Sequence, residues 1–146
     1  MIQHIDVHTV LRESSAGVYT DLVTRPTGRV VREGIERAMA NMGGPIVARM
    51  DFSGVGCMDY SCADEIVAHL LRHRPAVLLL RNITDGHRDA IEPVLATHGL
   101  AVLVEQLDGT LDVLGTPAAA DALLEQLVAQ RLAGRLPGGT FALTVT

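Results

Sequence analysis

The stretch VARMDFSGVGCMDYSCADE, residues Val47–Glu65, contains the clearest indication of the fold. The apolar run at its start predicts a buried strand that ends at Asp51. Two glycines then predict a loop, and the apolar spacing from Ser61 onward predicts an amphipathic helix. A polar loop that leads a serine into a helix N-terminus is typical of anion or phosphate sites, because the first backbone N–H groups of a helix have no intrahelical partners.

The composition indicates one domain that spans residues 1–146. The chain is 48% hydrophobic and 20% charged, which supports a buried core. A net charge of −5 and an aromatic content of 3% disfavour nucleic acid as a partner. No apolar run is long enough to span a membrane, and the N-terminus does not have the form of a signal peptide. We therefore expect a cytoplasmic protein with no membrane partner.

Strand and helix patterns alternate along most of the chain, which predicts a largely parallel sheet of an α/β fold. The predicted strands are Ile2–Val7, Val18–Val23, Ile46–Asp51, Ala76–Leu80 and Leu100–Glu105. The predicted helices are Arg29–Met42, Ser61–His73 and Asp85–His98.

Residues 105–146 are predicted to form a C-terminal extension. Asp108-Gly109 predicts a β-hairpin, and Thr116 before Pro117 predicts the start of a last helix. The apolar side of this helix contains Leu123, Leu124, Leu127, Val128 and Leu132. This side either covers a face of the same sheet or pairs with a second copy of the chain, so a homodimer remains open. Thr140–Val145 predicts a last edge strand.

The central stretch resembles the STAS domains (sulfate transporter and anti-sigma factor antagonist). In that family a strand ends in Asp-hydrophobic-Ser-x-Val, and Asp-Ser-Ser precedes a helix. Here DFSGV, residues 51–55, and DYS, residues 59–61, stand in those places. The closer resemblance is to the STAS-like variant, whose hallmark is similar to DFSGV…SCADE. It covers about residues 25–104 and implies a mixed sheet with helices packed against it.

The resemblance implies a function in bacterial signalling. In anti-sigma factor antagonists the serine in this position is phosphorylated by a kinase that is also the anti-sigma factor. Ser61 is therefore the candidate regulatory site, with Asp59 as the preceding acid and Arg25 in the loop beside the helix. The implied protein is a non-enzymatic regulatory module without a cofactor, whose protein partner is a kinase, an anti-sigma factor or a sensor-type regulator.

Ser61 also has a purely structural interpretation. The residues Ser61-Cys62-Ala63-Asp64 match a capping box with serine at the N-cap and Asp64 in place of the usual glutamate. The family has a glycine where this chain has Cys62. Asp64 and Glu65 would also repel a phosphate group. A helix cap and a phosphorylation site therefore both remain open.

The candidate binding loop contains Asp51, Ser53, Asp59 and Tyr60, with Arg25 nearby. Asp51 is expected to accept hydrogen bonds from amides of the glycine-containing loop and so to fix it. A second functional hypothesis is a small-ligand or nucleotide sensor that binds at residues 52–61.

Two further interpretations rank lower. An enzyme would use the Asp51–Asp59 carboxylate pair, or Cys62 with a thiol pKa lowered by the helix N-terminus. Glu65, His69 and His73 are spaced by four residues, but a metal site is not expected, because no third, distant ligand accompanies the histidines. The core prediction is a single buried cluster made of Met50, Ile66, Leu70, Leu79, Ile91 and Leu103.

Overall fold

The protein, described by a computed structural model over residues 2–14, 20–41, 43, 47–73 and 77–144, has seven strands and five helices in those ranges. The strands are β1 (Ile2–Asp6), β2 (Val47–Asp51), β3 (Val77–Arg81), β4 (Ala101–Glu105), β5 (Thr110–Gly115), β6 (Ala133–Arg135) and β7 (Phe141–Leu143). The helices are α1 (Val7–Ser14), α2 (Arg25–Asn41), α3, α4 (Asp85–His98) and α5 (Pro117–Ala129). Helix α3 joins Tyr60–Ala63, the π-helical segment Asp64–Ala68 and His69–His73.

The strands form one mixed sheet in the order β1-β2-β3-β4-β5-β7-β6. The first four strands are parallel, and the remaining pairs are antiparallel. The predicted fold class, an α/β fold with helices on a mixed sheet plus a C-terminal hairpin and helix, is therefore confirmed. The register places the last residues of β1, β2, β3 and β4 side by side.

The sheet separates two hydrophobic clusters. Side chains alternate between the faces of a strand, so Leu78 and Leu80 lie on one face and Leu79 lies on the other. The prediction of a single cluster is wrong for this reason. Four of the six residues belong to the larger cluster under α1–α4, namely Met50, Ile66, Leu70 and Ile91. The other two, Leu79 and Leu103, belong to the smaller cluster under α5.

Helix α5 covers the sheet face that carries the smaller cluster. Covering a face of the same sheet was one of the two alternatives predicted for the apolar side of this helix. Leu127 is buried against this face, and Leu123 and Leu124 are partly buried there. Thr116 caps the helix by accepting a hydrogen bond from the Ala119 amide at 3.3 Å, as its sequence predicts. The C-terminal extension is therefore part of the packed structure.

The N-terminal prediction needs two corrections. Residues Val7–Ser14 form helix α1 directly after β1, and Val7 and Leu11 of this helix are buried. Helix α2 begins at Arg25, before the predicted start, because Pro26 fits the first turn of a helix. The strand predicted for Val18–Val23 lies partly outside the described residues, and in its described part Leu22 forms a parallel bridge with Met58.

The last predicted strand also differs from expectation. Within Thr140–Val145, residues Phe141–Leu143 form β7, and Val145 lies outside the described residues. Strand β7 pairs on both sides, with β5 and β6, so β6 is the edge strand instead. Helix α4 matches its predicted bounds and ends at Gly99 in the left-handed conformation, with a φ of 64°.

Candidate functional site

The carboxylate of Asp59 connects the starts of two helices. Its Oδ1 accepts hydrogen bonds from the Ser61 hydroxyl at 2.7 Å and from the Cys62 amide at 2.9 Å. Its Oδ2 accepts a hydrogen bond from the Thr24 amide, just before α2, at 2.9 Å. Asp59 is therefore the N-cap of α3, and it holds the start of α2 as well.

The prediction that Ser61 is the N-cap is wrong. Ser61 lies in the first turn of α3, and its hydroxyl donates to the actual cap instead of accepting from a backbone amide. A carboxylate offers more acceptor positions than a hydroxyl, so Asp59 satisfies several donors at once. Ser61 is half-buried, so its hydroxyl lies close to solvent. The same hydroxyl is hydrogen-bonded to the Asp59 carboxylate.

The Asp59 carboxyl group is ionised at neutral pH. Burial alone raises the pKa of this carboxyl group. The hydrogen bonds from the Cys62 and Thr24 amides and the Ser61 hydroxyl favour the ionised form more strongly, so the pKa is lowered overall. A fixed negative charge therefore lies within hydrogen-bond distance of the Ser61 oxygen.

Arg25 lies beside the first turns of α3, as the family resemblance implies. Its Nη1 is 2.8 Å from Asp64 Oδ2 and 3.2 Å from Glu65 Oε1. These hydrogen bonds, first that of Asp64 and then that of Glu65, raise the arginine pKa. The other carboxylate oxygen of Asp64 is 2.9 Å from His98 Nε2. The Arg25 side chain remains 42% exposed, so this cation neutralises the acids of α3 while facing solvent.

The loop between β2 and α3 is fixed to the segment before α2. The Gly56 amide donates to Thr20 O at 2.7 Å, and the Cys57 amide donates to Asp21 Oδ1 at 2.8 Å. His87 of α4 contacts Gly56 O through Nε2 at 2.7 Å. A ligand that bound through these loop groups would therefore have to replace hydrogen bonds already made within the chain.

Asp51 fixes the start of this loop. Its Oδ1 accepts from the Ser53 amide at 2.8 Å and from Asn82 Nδ2 at 3.0 Å. Burial raises the pKa of this carboxyl group, but the hydrogen bonds from Asn82 and Ser53 lower it overall. The predicted loop-fixing role agrees with this geometry, although the Gly56 amide binds Thr20 instead.

Tyr60 connects α3 to α4 at the protein surface. The residue is 43% exposed, and its hydroxyl donates a hydrogen bond to Thr97 Oγ1 at 3.2 Å. The predicted loop residues therefore divide into two groups. Asp59, Tyr60, Ser61 and Arg25 gather around the N-terminal turn of α3, whereas Asp51 and Ser53 lie at the end of β2.

The environment of Cys62 contradicts the prediction that the helix N-terminus lowers the pKa of its thiol. Burial, followed by the nearby charge of Asp59, raises the pKa of the Cys62 thiol to about 12. The Cys62 Sγ donates to Thr24 O at 3.1 Å, so the protonated thiol is part of the packing between α2 and α3. Cys57 is exposed, and both cysteines are free thiols. A nucleophile at Cys62 would need the ionised form that this environment disfavours.

The histidines of α3 form a stacked pair. The rings of His69 and His73 have centroids 4.4 Å apart. Burial, and then electrostatic interaction with Arg32 and His73, lower the His69 pKa. Across the described ranges, no group of three or more His, Cys, Asp or Glu residues is placed to hold a metal ion.

A charged cluster on the second face of the sheet was missed at the sequence level. Glu105 at the end of β4 is 8% exposed and lies 2.8 Å from Arg49 Nε. Arg81 approaches the same carboxylate at 3.5 Å, and His4 contacts Arg49 at 3.0 Å. The available signal was a charged residue inside β2, Arg49, and one at the end of each of the apolar strands β3 and β4, Arg81 and Glu105. These residues meet only through the strand register.

Comparisons of this chain with protein-family models, with curated proteins and with solved structures found no match. Among the helices in the described ranges, none combines the length and the apolar character that crossing a membrane requires.

Proposed function

We propose that this chain is a STAS-like regulatory module of the cytoplasm that binds a protein partner and performs no catalysis itself. Phosphorylation of Ser61 by a partner kinase controls that binding. The observation that supports this most is the 2.7 Å hydrogen bond from Ser61 to Asp59, the residue that holds the starts of both α2 and α3. A change at the Ser61 oxygen therefore acts directly on the junction between the two helices.

The physical effect of phosphorylation follows from the neighbouring charges. A phosphoserine carries about −1.5 to −2 charges at pH 7 and no longer donates a hydrogen bond to Asp59. Repulsion between the phosphate and Asp59 weakens the cap and its bond to Thr24. Arg25 pairs with Asp64, three residues after Ser61 on the same helix, and in this proposal it exchanges Asp64 for the phosphate. The surface around the α3 N-terminus then changes in both charge and shape.

A comparison of Ser61→Asp with Ser61→Asn tests the role of charge. The two side chains have nearly the same size, and only aspartate is ionised at neutral pH. The partner is first isolated by co-purification with the wild-type chain, and its affinity for each variant is then measured by calorimetry. We expect Ser61→Asp to weaken binding by about tenfold or more, and Ser61→Asn to bind like wild type.

The control for position is Ser53→Asp, because Ser53 is exposed and lies at the end of β2 instead of in the first turn of α3. It should leave the affinity unchanged. Incubation with the co-purified kinase, followed by mass spectrometry, should place a phosphate on Ser61. Absence of that phosphate, together with equal binding by Ser61→Asp and wild type, would refute the switch.

Stability must be measured on the same variants, since Ser61 also has a structural role. Ser61→Asn should cost about 1 kcal/mol, the net value of one hydrogen bond. Ser61→Asp also places a second carboxylate beside Asp59, and we expect a loss of about 1–3 kcal/mol. Binding is therefore compared at a temperature where circular dichroism shows all variants to be folded.

A further inference from the structure

Helix α5 is apolar around most of its circumference but is buried on only one side. Its sequence, PAAADALLEQLVA, contains nine Ala, Leu or Val residues in 13 positions. Only Leu127 of these 13 residues is buried. Val128 is 45% exposed. A helix with so few polar residues is normally covered on several sides, so this one has an apolar surface without a cover in the single chain.

A groove runs along this uncovered surface. It has a volume of about 470 Å³ and lies between α5 and the strands β6 and β7. Its apolar part consists of Leu124, Val128, Ala129 and Phe141. Its charged residues are Asp121 and Glu125 on the helix and Arg135 on β6, and the guanidinium of Arg135 lies 5.1 Å from the Phe141 ring centroid.

We propose that the groove binds a second copy of this chain, with α5 of one copy against α5 of the other around a twofold axis. The groove contains both signs of charge, because Asp121 and Glu125 belong to its helix wall and Arg135 belongs to its strand wall. In the proposed dimer, a twofold axis across the groove sets the helix wall of each copy against the strand wall of the other, so Arg135 of each copy meets Asp121 and Glu125 of the other copy. The surface is thus complementary to itself, as an isologous interface requires.

This interface is separate from the proposed phosphorylation site. Helix α5 packs with the cluster on one face of the sheet, whereas α3 packs with the cluster on the other face. A dimer formed through α5 therefore leaves Ser61 accessible on both copies. The inference does not depend on the proposed function, and each can fail without the other.

Sedimentation velocity tests the apolar part of the proposal. The wild-type chain should change from monomer to dimer as its concentration is raised. Val128→Asp should raise the dimer dissociation constant by about a hundredfold. Val30→Asp on α2 is the matched control, because Val30 is also a helical valine and is 43% exposed. A wild-type chain that stays monomeric, or equal dissociation constants for the two variants, would overturn the proposal.

A mixing experiment tests the charges and the symmetry. Arg135→Glu makes the groove wholly acidic, and the double variant Asp121→Lys/Glu125→Lys makes it wholly basic. All three residues are exposed, so both variants should fold, which circular dichroism verifies. Each variant alone should dimerise about tenfold or more weakly than wild type, and an equimolar mixture should form a heterodimer at least as readily as wild type forms a homodimer. A mixture that stays monomeric would overturn the twofold arrangement.

Discussion

Replacing Asp59 by alanine should destabilise the protein more than the loss of an ordinary helix cap. Loss of the α3 cap costs about 1 kcal/mol. The bonds to the Thr24 amide and the Ser61 hydroxyl are lost too, and we take about 0.5–1 kcal/mol for each because both are near solvent. The expected decrease in the free energy of unfolding is therefore about 2–3 kcal/mol. Urea denaturation followed by far-ultraviolet circular dichroism measures it.

The control for this variant is Thr116→Ala. Thr116 caps α5 through one bond of 3.3 Å, so its removal should cost only about 0.5–1 kcal/mol. Asp59→Asn should fall between the two, because asparagine remains a good N-cap but has only one acceptor oxygen. If Asp59→Ala cost no more than Thr116→Ala, the idea that one carboxylate joins α2 and α3 would be refuted.

The stability that the Asp59 carboxylate contributes should depend on pH. The Asp59 carboxyl has a lowered pKa in the folded protein. Its charge therefore contributes stability above the unfolded pKa of about 3.9, and this contribution is lost as the pH falls through the lower, folded-state value. The stability difference between wild type and Asp59→Asn should be constant at neutral pH and should decrease at strongly acid pH. A difference that grew on acidification would have the wrong sign.

Two further predictions concern the thiols and the core. Iodoacetamide at mildly alkaline pH should alkylate the exposed Cys57 and leave the buried Cys62 unmodified until urea is added. Peptide mass spectrometry measures the labelling of each cysteine. Equal labelling of both cysteines in the native protein would contradict the packing of Cys62 between α2 and α3. Leu70→Ala and Leu79→Ala should each cost about 2–5 kcal/mol, and their effects should add within about 0.5 kcal/mol, because the residues lie on opposite faces of the sheet. A much larger coupling energy in the double variant would mean that the two clusters are one.

Local signals in the sequence predicted some elements well. Helix α4 has its predicted bounds, since Gly99 supplies the left-handed residue that ends it. The start of α5 follows from Thr116 and Pro117, and Asp108-Gly109 joins β4 to the antiparallel strand β5. In each case the deciding contacts involve residues only a few positions apart.

Contacts between distant residues explain the errors. Asp59 and Ser61 are both good N-cap residues, and the choice between them depends partly on the Thr24 amide, which is 35 positions away. The separation of Leu79 from the other predicted core residues required knowledge of which sheet face each helix covers. A single sequence contains these pairings only indirectly, through the complete fold.

The π-helical segment Asp64–Ala68 divides α3 into two parts that differ in angular phase. A π turn accommodates one extra residue, so the turn before it is rotated by about 100° relative to an uninterrupted α-helix. The turn with Ser61 is thereby oriented towards the start of α2, while the later turns orient Leu70 into the core. The change in phase lets one helix hold Ser61 at the junction with α2 while Cys62 and Ala63 of the same turn, and Ile66 and Leu70 of the later turns, are all buried in the larger cluster.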